Sequence, residues 1–131
     1  MSPIINPDLT AVKSQGPIDP GVYPAKIIDV QSKTSQKGNP MIVPKLEITV
    51  GQDDVRTREA YLVITGAGAY GFEQLLRACG FDDVADKYKD PDAEKPAFDT
   101  DNLIGQELNV QIESDTYNNQ LRDKVQSYLK M

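Results

Sequence analysis

From Gly21 onward the chain alternates apolar and polar residues in short blocks, the period-two signature of half-buried strands. In GVYPAKIIDVQSK, Tyr23, Ala25 and Ile27 share one phase, whereas Ile28 and Val30 fall in the other. A change of phase inside one strand predicts a bulge or a strong bend. Pro24 has no N–H to give to a ladder, so part of this first strand is expected at an edge. After the polar turn Thr34–Pro40, a second strand spans Met41–Val50. Its Ile42, Pro44, Leu46, Ile48 and Val50 share one face, and Met41, Val43, Lys45, Glu47 and Thr49 the other. Gly51–Asp54 has the chemistry of a hairpin turn. The third strand, Val55–Thr65, starts charged and ends apolar, with Ala60, Leu62 and Ile64 inward and Tyr61 and Val63 outward.

The period then changes. Phe72, Leu75, Leu76 and Cys79 stand at i, i+3, i+4 and i+7, one apolar stripe of a helix near Gly68–Cys79, and Gly80 sits where a left-handed C-cap is wanted. Phe81–Asp101 is acidic and broken by Pro91 and Pro96, with room for a helical turn at Asp83–Lys89. Strand pattern returns with Leu108, Val110 and Ile112 alternating with Asn109, Gln111 and Glu113. Asn118 and Asn119 supply a hairpin turn. In the last strand Leu121, Val125 and Leu129 read inward; Arg122, Lys124, Gln126, Tyr128 and Lys130 read outward.

Three strands, one helix and two strands, linked by hairpins at 1–2, 2–3 and 4–5, predict an all-β domain with one helix. The connectivity is that of a five-stranded antiparallel OB-type barrel with the helix between strands 3 and 4. A helix-capped β-sandwich is the other all-β solution. Residues 1–20 read as a flexible arm in which Ile4, Ile5, Leu9 and Val12 are the apolar anchors. Residues 21–131 form the domain, and 81–101 is expected as a mobile acidic loop within it, longer than ordinary connections.

Composition narrows the chemistry. The chain contains no histidine, which removes the usual zinc sites and histidine-based nucleophilic or acid–base catalysis. The single Cys79 forms no internal disulfide, fits a reducing cytoplasm, and lies on the helix's apolar stripe as a packing residue. No apolar run reaches membrane-spanning length. Net charge is −6, but Phe81–Asp101 holds eight acids against three lysines, so the body of the domain is almost neutral. Carboxylates clustered at Asp82, Asp83, Asp86, Asp90 and Asp92 invite a metal-dependent nuclease reading, but metal geometry needs rigid strand ends and this segment is Pro-broken. The expectation is therefore a non-enzyme with no cofactor and no metal.

Gly66, Gly68 and Gly71 spell G-x-G-x-x-G between a strand and a helix, the pattern of a dinucleotide-binding turn. That turn requires a second, parallel strand directly after the helix, where this chain is acidic. A dinucleotide-binding enzyme is thus an alternative, beside a virion structural or adaptor protein.

The runs G-V-Y-P-A-K-I-I-D-V, K-G-N-P-M-I-V-P-K-L-E-I, F-x-x-L-L-x-x-C-G and F-D-x-x-x-L-I-G-Q resemble bacteriophage OB-fold single-stranded-DNA-binding proteins. The resemblance spans roughly Gly21–Tyr128. It implies sequence-tolerant single-strand binding in phage-type DNA replication and recombination, in the host cytoplasm, with replication proteins as partners. Many such proteins end in an acidic, partner-recruiting tail; this chain ends SYLKM, so either that role is absent or Phe81–Asp101 has taken it over, as a protein-contact site or an electrostatic shield of the groove. Homo-oligomerisation is left open.

Single-strand binding needs cations for phosphates and flat rings for bases. In an OB-type barrel the groove crosses strands 2 and 3 and is flanked by loops 1–2 and 4–5. That places Lys33 and Lys37 on the first loop, Met41 and Lys45 on strand 2, and Arg56, Arg58 and Tyr61 on strand 3. The last hairpin gives Tyr117, Arg122, Lys124 and Tyr128, with Asn118 and Asn119 at its tip. Against this, alternating cations on a strand are most often a solvated face, and Arg56 and Arg58 suit a solubilised edge. Glu47, Glu59 and Glu113 lie near the groove and would moderate its affinity.

Overall fold

A computed structural model describes residues 4–6 and 17–131. Six antiparallel strands form one curled sheet, a half-barrel, accompanied by two α-helices. Strand β1 (Gly21–Thr34) lies at the centre, between β2 (Pro40–Gly51) and β5 (Glu107–Tyr117). Outside them lie β3 (Asp54–Glu59) on β2 and β6 (Gln120–Leu129) on β5; the short β4 (Leu62–Val63) also pairs with β2. Helices α1 (Tyr70–Ala78) and α2 (Asp82–Lys89) come between β4 and β5.

The phase change in the first strand is a bulge: Ile27 pairs with Leu46 and Asp29 with Lys45, so Ile28 is the extra residue. Gly105 N–H donates to the carbonyl of Ile27 at 2.7 Å, tying the entry of β5 to the bend. Gly21–Pro24 pair with β5 alone, which spares Pro24 a donor on its other side. The inward sets of β1, β2 and β5 form the core, with Ile27, Leu46, Ile48, Leu108, Val110 and Ile112 fully buried.

The third strand breaks in two, and Pro44 gives the reason. Its carbonyl accepts from Ala60 N–H at 3.1 Å, so its missing N–H lies on the side where β3 and β4 pair. The ladder lapses at Ala60–Tyr61 between β3 and β4. Ala60 remains buried while the Tyr61 ring turns out to solvent, 61% exposed.

Helix α1 packs Leu75, Leu76 and Ala78 into the core. It also secures β6, because the Gln74 side chain accepts from Tyr128 N–H at 2.9 Å. Gly71 is needed for close approach: a Cβ there would lie 3.0 Å from Leu62 Cδ2. Gly80 ends the helix at φ +88°, with Phe81 N–H reaching back to the Leu76 carbonyl at 2.8 Å.

Four expectations need correction. There are two α-helices, because Ala85 buries against the core and anchors α2. The acidic stretch is not loop throughout: Asp82–Lys89 is helical, Phe81 and Phe98 meet edge to face at 5.3 Å, and Tyr88 donates its hydroxyl to the Pro96 carbonyl. The domain begins before Gly21, since Ile18 is only 2% exposed and belongs to the core. Tyr128 is buried rather than outward, because β6 carries one extra residue between Val125 and Ser127 and the phase reverses across it. Leu9 and Val12 lie outside the described residues. Among the described residues, no helix is long and apolar enough to cross a membrane.

Candidate nucleic-acid interface

Among the described residues the sheet ends in β3 and β4 on one side and β6 on the other, and the Asp123 carboxylate joins β6 to β3 across the seam between them. Arg58 donates to both oxygens of Asp123, Nε to Oδ1 and Nη2 to Oδ2, each at 2.9 Å. Ile18 N–H donates to the same Oδ2 at 2.7 Å. The Asp123 side chain is 7% exposed. Burial opposes its charge, but the guanidinium and the amide prevail and hold the carboxyl below its usual range.

Along this seam runs a groove of about 600 Å³. On one wall stand Arg58, Tyr61 and Leu62; on the other stand Leu121, Arg122 and Lys124, with Tyr128 beneath. Two cation–aromatic pairs extend it. Lys33 Nζ lies 5.9 Å from the Tyr61 ring centre, and the Arg122 guanidinium lies 4.7 Å from that of Tyr117. Tyr117 is 58% exposed at the tip of its hairpin. The turn between Tyr117 and Gln120 places Asn118 and Asn119 at φ 51° and 64°, as a two-residue turn of this twist requires.

Of the eleven residues expected at the interface, Arg58, Tyr61, Arg122, Lys124 and Tyr128 line the groove. Lys33 and Tyr117 join it through the two pairs. Lys37, Met41, Lys45 and Arg56 stand apart from its walls. Arg56 pairs with Asp54 at 2.8 Å, and Arg58 is committed to Asp123. Both sit across from Ile48 and Leu46, on the core side of β3 rather than its outer face. Lys45 stands between Asp29 on β1 and Glu59 on β3, two acids that offset its charge. Arg122 and Lys124 each face one acid, Asp115 and Glu113. Tyr128, buried, is floor rather than stacking platform.

The sequence reading missed Asp123, Leu62 and Leu121 as groove residues. Leu121, 61% exposed, follows the inward phase of β6 yet meets solvent. The β5–β6 ladder runs on to Tyr117 and Gln120, whereas β1 covers β5 only to Ile112. The hairpin therefore overhangs the sheet, and neither face of it has a core to enter.

Cys79 has its thiol pushed up to about 11 by burial, so it is protonated and packs against the core at neutral pH. The glycine turn at Gly66–Gly71 follows β4, whose partner β2 is antiparallel. Among the described strands no parallel pair exists for a dinucleotide-binding unit. Nor do three or more His, Cys, Asp or Glu side chains among the described residues gather to hold a metal ion.

No curated protein matches the chain. A family of proteins of unknown function matches residues 5–130, nearly the whole sequence, and the chain belongs to that family, DUF669.

Proposed function

We propose that this protein binds single-stranded DNA with little sequence preference, as a non-enzymatic component of phage-type DNA replication or recombination. The half-barrel is then an OB-type barrel whose seam is closed by the Arg58–Asp123 pair, with α1 covering one end. The observation that carries the reading is the groove flanked by two exposed tyrosines, each with a cation over its ring. A cation on one face leaves a ring with its other face for a base, and it brings positive charge to the adjoining phosphate. Leu62 and Leu121 add apolar surface between the rings. Duplex DNA hides its base faces and would engage only the cations.

Fluorescence titration with single-stranded DNA, duplex DNA and single-stranded RNA tests this. Single strands are expected to bind markedly more tightly than duplex, with a salt slope set by a few phosphate contacts. Equal affinity for duplex and single strands would reduce the groove to nonspecific charge attraction.

A further inference from the structure

Two carboxylates line the groove, Glu59 and Asp123, and they are used differently. Asp123 is taken up by Arg58 and the Ile18 amide. Glu59 ends β3 at an exposed position, and among the described residues its side chain enters no ion pair. Lys45 faces it across the ladder without closing on it, and has Asp29 on its other side. The hydrogen bond that Glu59 does accept comes from the Tyr61 hydroxyl to Oε2, at 3.4 Å. Glu59 and Tyr61 stand two residues apart on the same outward phase, so the carboxylate lies at the hydroxyl rim of the ring.

That rim is where the edge of a stacked base would fall. The Tyr61 ring is largely exposed, and Lys33 lies over it at 5.9 Å from its centre, which leaves the opposite face for a base. An ionised carboxylate only accepts hydrogen bonds, through two oxygens. Guanine offers it two adjacent donors on the Watson–Crick edge, N1–H and the 2-amino group. Adenine and cytosine each set an acceptor beside their amino group, and thymine flanks its N3–H with two carbonyls. Guanine alone meets both oxygens without repulsion.

We infer that Glu59 is a specificity-determining residue of the groove, accepting from N1–H and the 2-amino group of a guanine stacked on Tyr61. This rests on the groove binding single strands, and it adds one guanine-preferring position to an otherwise sequence-tolerant site. The charge of Glu59 opposes the phosphates, and a guanine offsets that cost where other bases do not.

The test is a fluorescence titration with short thymidine tracts that carry one central guanine, adenine, cytosine or hypoxanthine. A single guanine per strand cannot assemble with itself, and adenine controls for the stronger stacking of purines. The guanine tract is expected to bind about fivefold or more tightly than the adenine tract. Hypoxanthine keeps N1–H but lacks the 2-amino group, and should fall between them. Glu59→Ala should erase the difference. Glu59→Gln presents one acceptor and one donor, so it should shift the preference from guanine toward adenine, a change that a damaged fold would not produce. Tracts that bind equally well, or a guanine preference that survives both variants, would overturn the inference and leave single-strand binding standing. Failure of every tract to bind would overturn both.

Discussion

The seam and the helical end handle charge in opposite ways. At the seam one nearly buried carboxylate, Asp123, is consumed by Arg58 and a backbone amide, while Lys33 and Arg122 lie over aromatic rings and Lys124 faces Glu113. At the helical end the cations are consumed instead: Arg77 meets Glu73, Asp82 and Asp86, and Lys130 meets Asp82. The stretch 83–101 that follows exposes carboxylates and also Lys87, Lys89 and Lys95. A net charge of −6 therefore says little about partners. Which charges are already paired matters more than the total.

The sharpest way to break the comparison is at Asp123. Asp123→Ala leaves Arg58 half-buried and Ile18 N–H without its acceptor, and should cost about 2–3 kcal/mol of stability by urea unfolding. Replacing Arg58 and Asp123 together by leucine should recover much of that loss, because no unpaired charge is then left behind. The pH response follows the same pair. The Asp123 carboxyl is held below its unfolded value of about 4. Its stabilisation is therefore complete above about pH 4 and lost as pH falls through the folded value. Asp123→Ala should flatten that part of the acid-unfolding curve; an unchanged acid limb would mean the pair does not hold the seam.

Next come the rings and the cations, which separate by their salt response. Tyr61→Ala or Tyr117→Ala should cost about 1–3 kcal/mol of single-strand affinity per stacked base and leave the salt slope nearly unchanged. Lys124→Ala should weaken binding and reduce the log–log slope by roughly 0.7. Lys45→Ala should do less, since Asp29 and Glu59 flank it. Titrations at several salt concentrations distinguish these outcomes.

Local chemistry was legible in the sequence wherever one residue dictates its own backbone. The bulge after Ile27, the Asn118–Asn119 turn and the Gly80 cap all follow from phase or from φ preference. The helical stripe was legible for the same reason. What failed depended on partners distant in sequence. The reversal at Tyr128 comes from one inserted residue that only the β5 register reveals. Leu121 follows the inward pattern, but burial required β1 to reach that far. Asp123 falls in the inward phase between Leu121 and Val125, and nothing local names its partner, Arg58, 65 residues away. Ile18 sat in a segment without periodicity, and only the seam gives it a place to bury.

The smallest effect is expected at Arg77, and it sharpens the contrast with Arg58. Arg77 has more partners, with Nε 3.0 Å from Glu73, Nη2 2.7 Å from Asp86 and Nη1 3.6 Å from Asp82. Counting bonds would make it the stronger anchor. Its side chain is exposed about as much as that of Arg58, 33% against 31%, but its carboxylate partners are 25%, 39% and 66% exposed where Asp123 is 7%, so water and salt compete for every contact. Arg77→Ala should lower stability only slightly, and less still in high salt, whereas the loss from Asp123→Ala should persist there. If Arg77→Ala proved as damaging as Asp123→Ala at all salt concentrations, the number of partners rather than burial would set the worth of an ion pair in this fold.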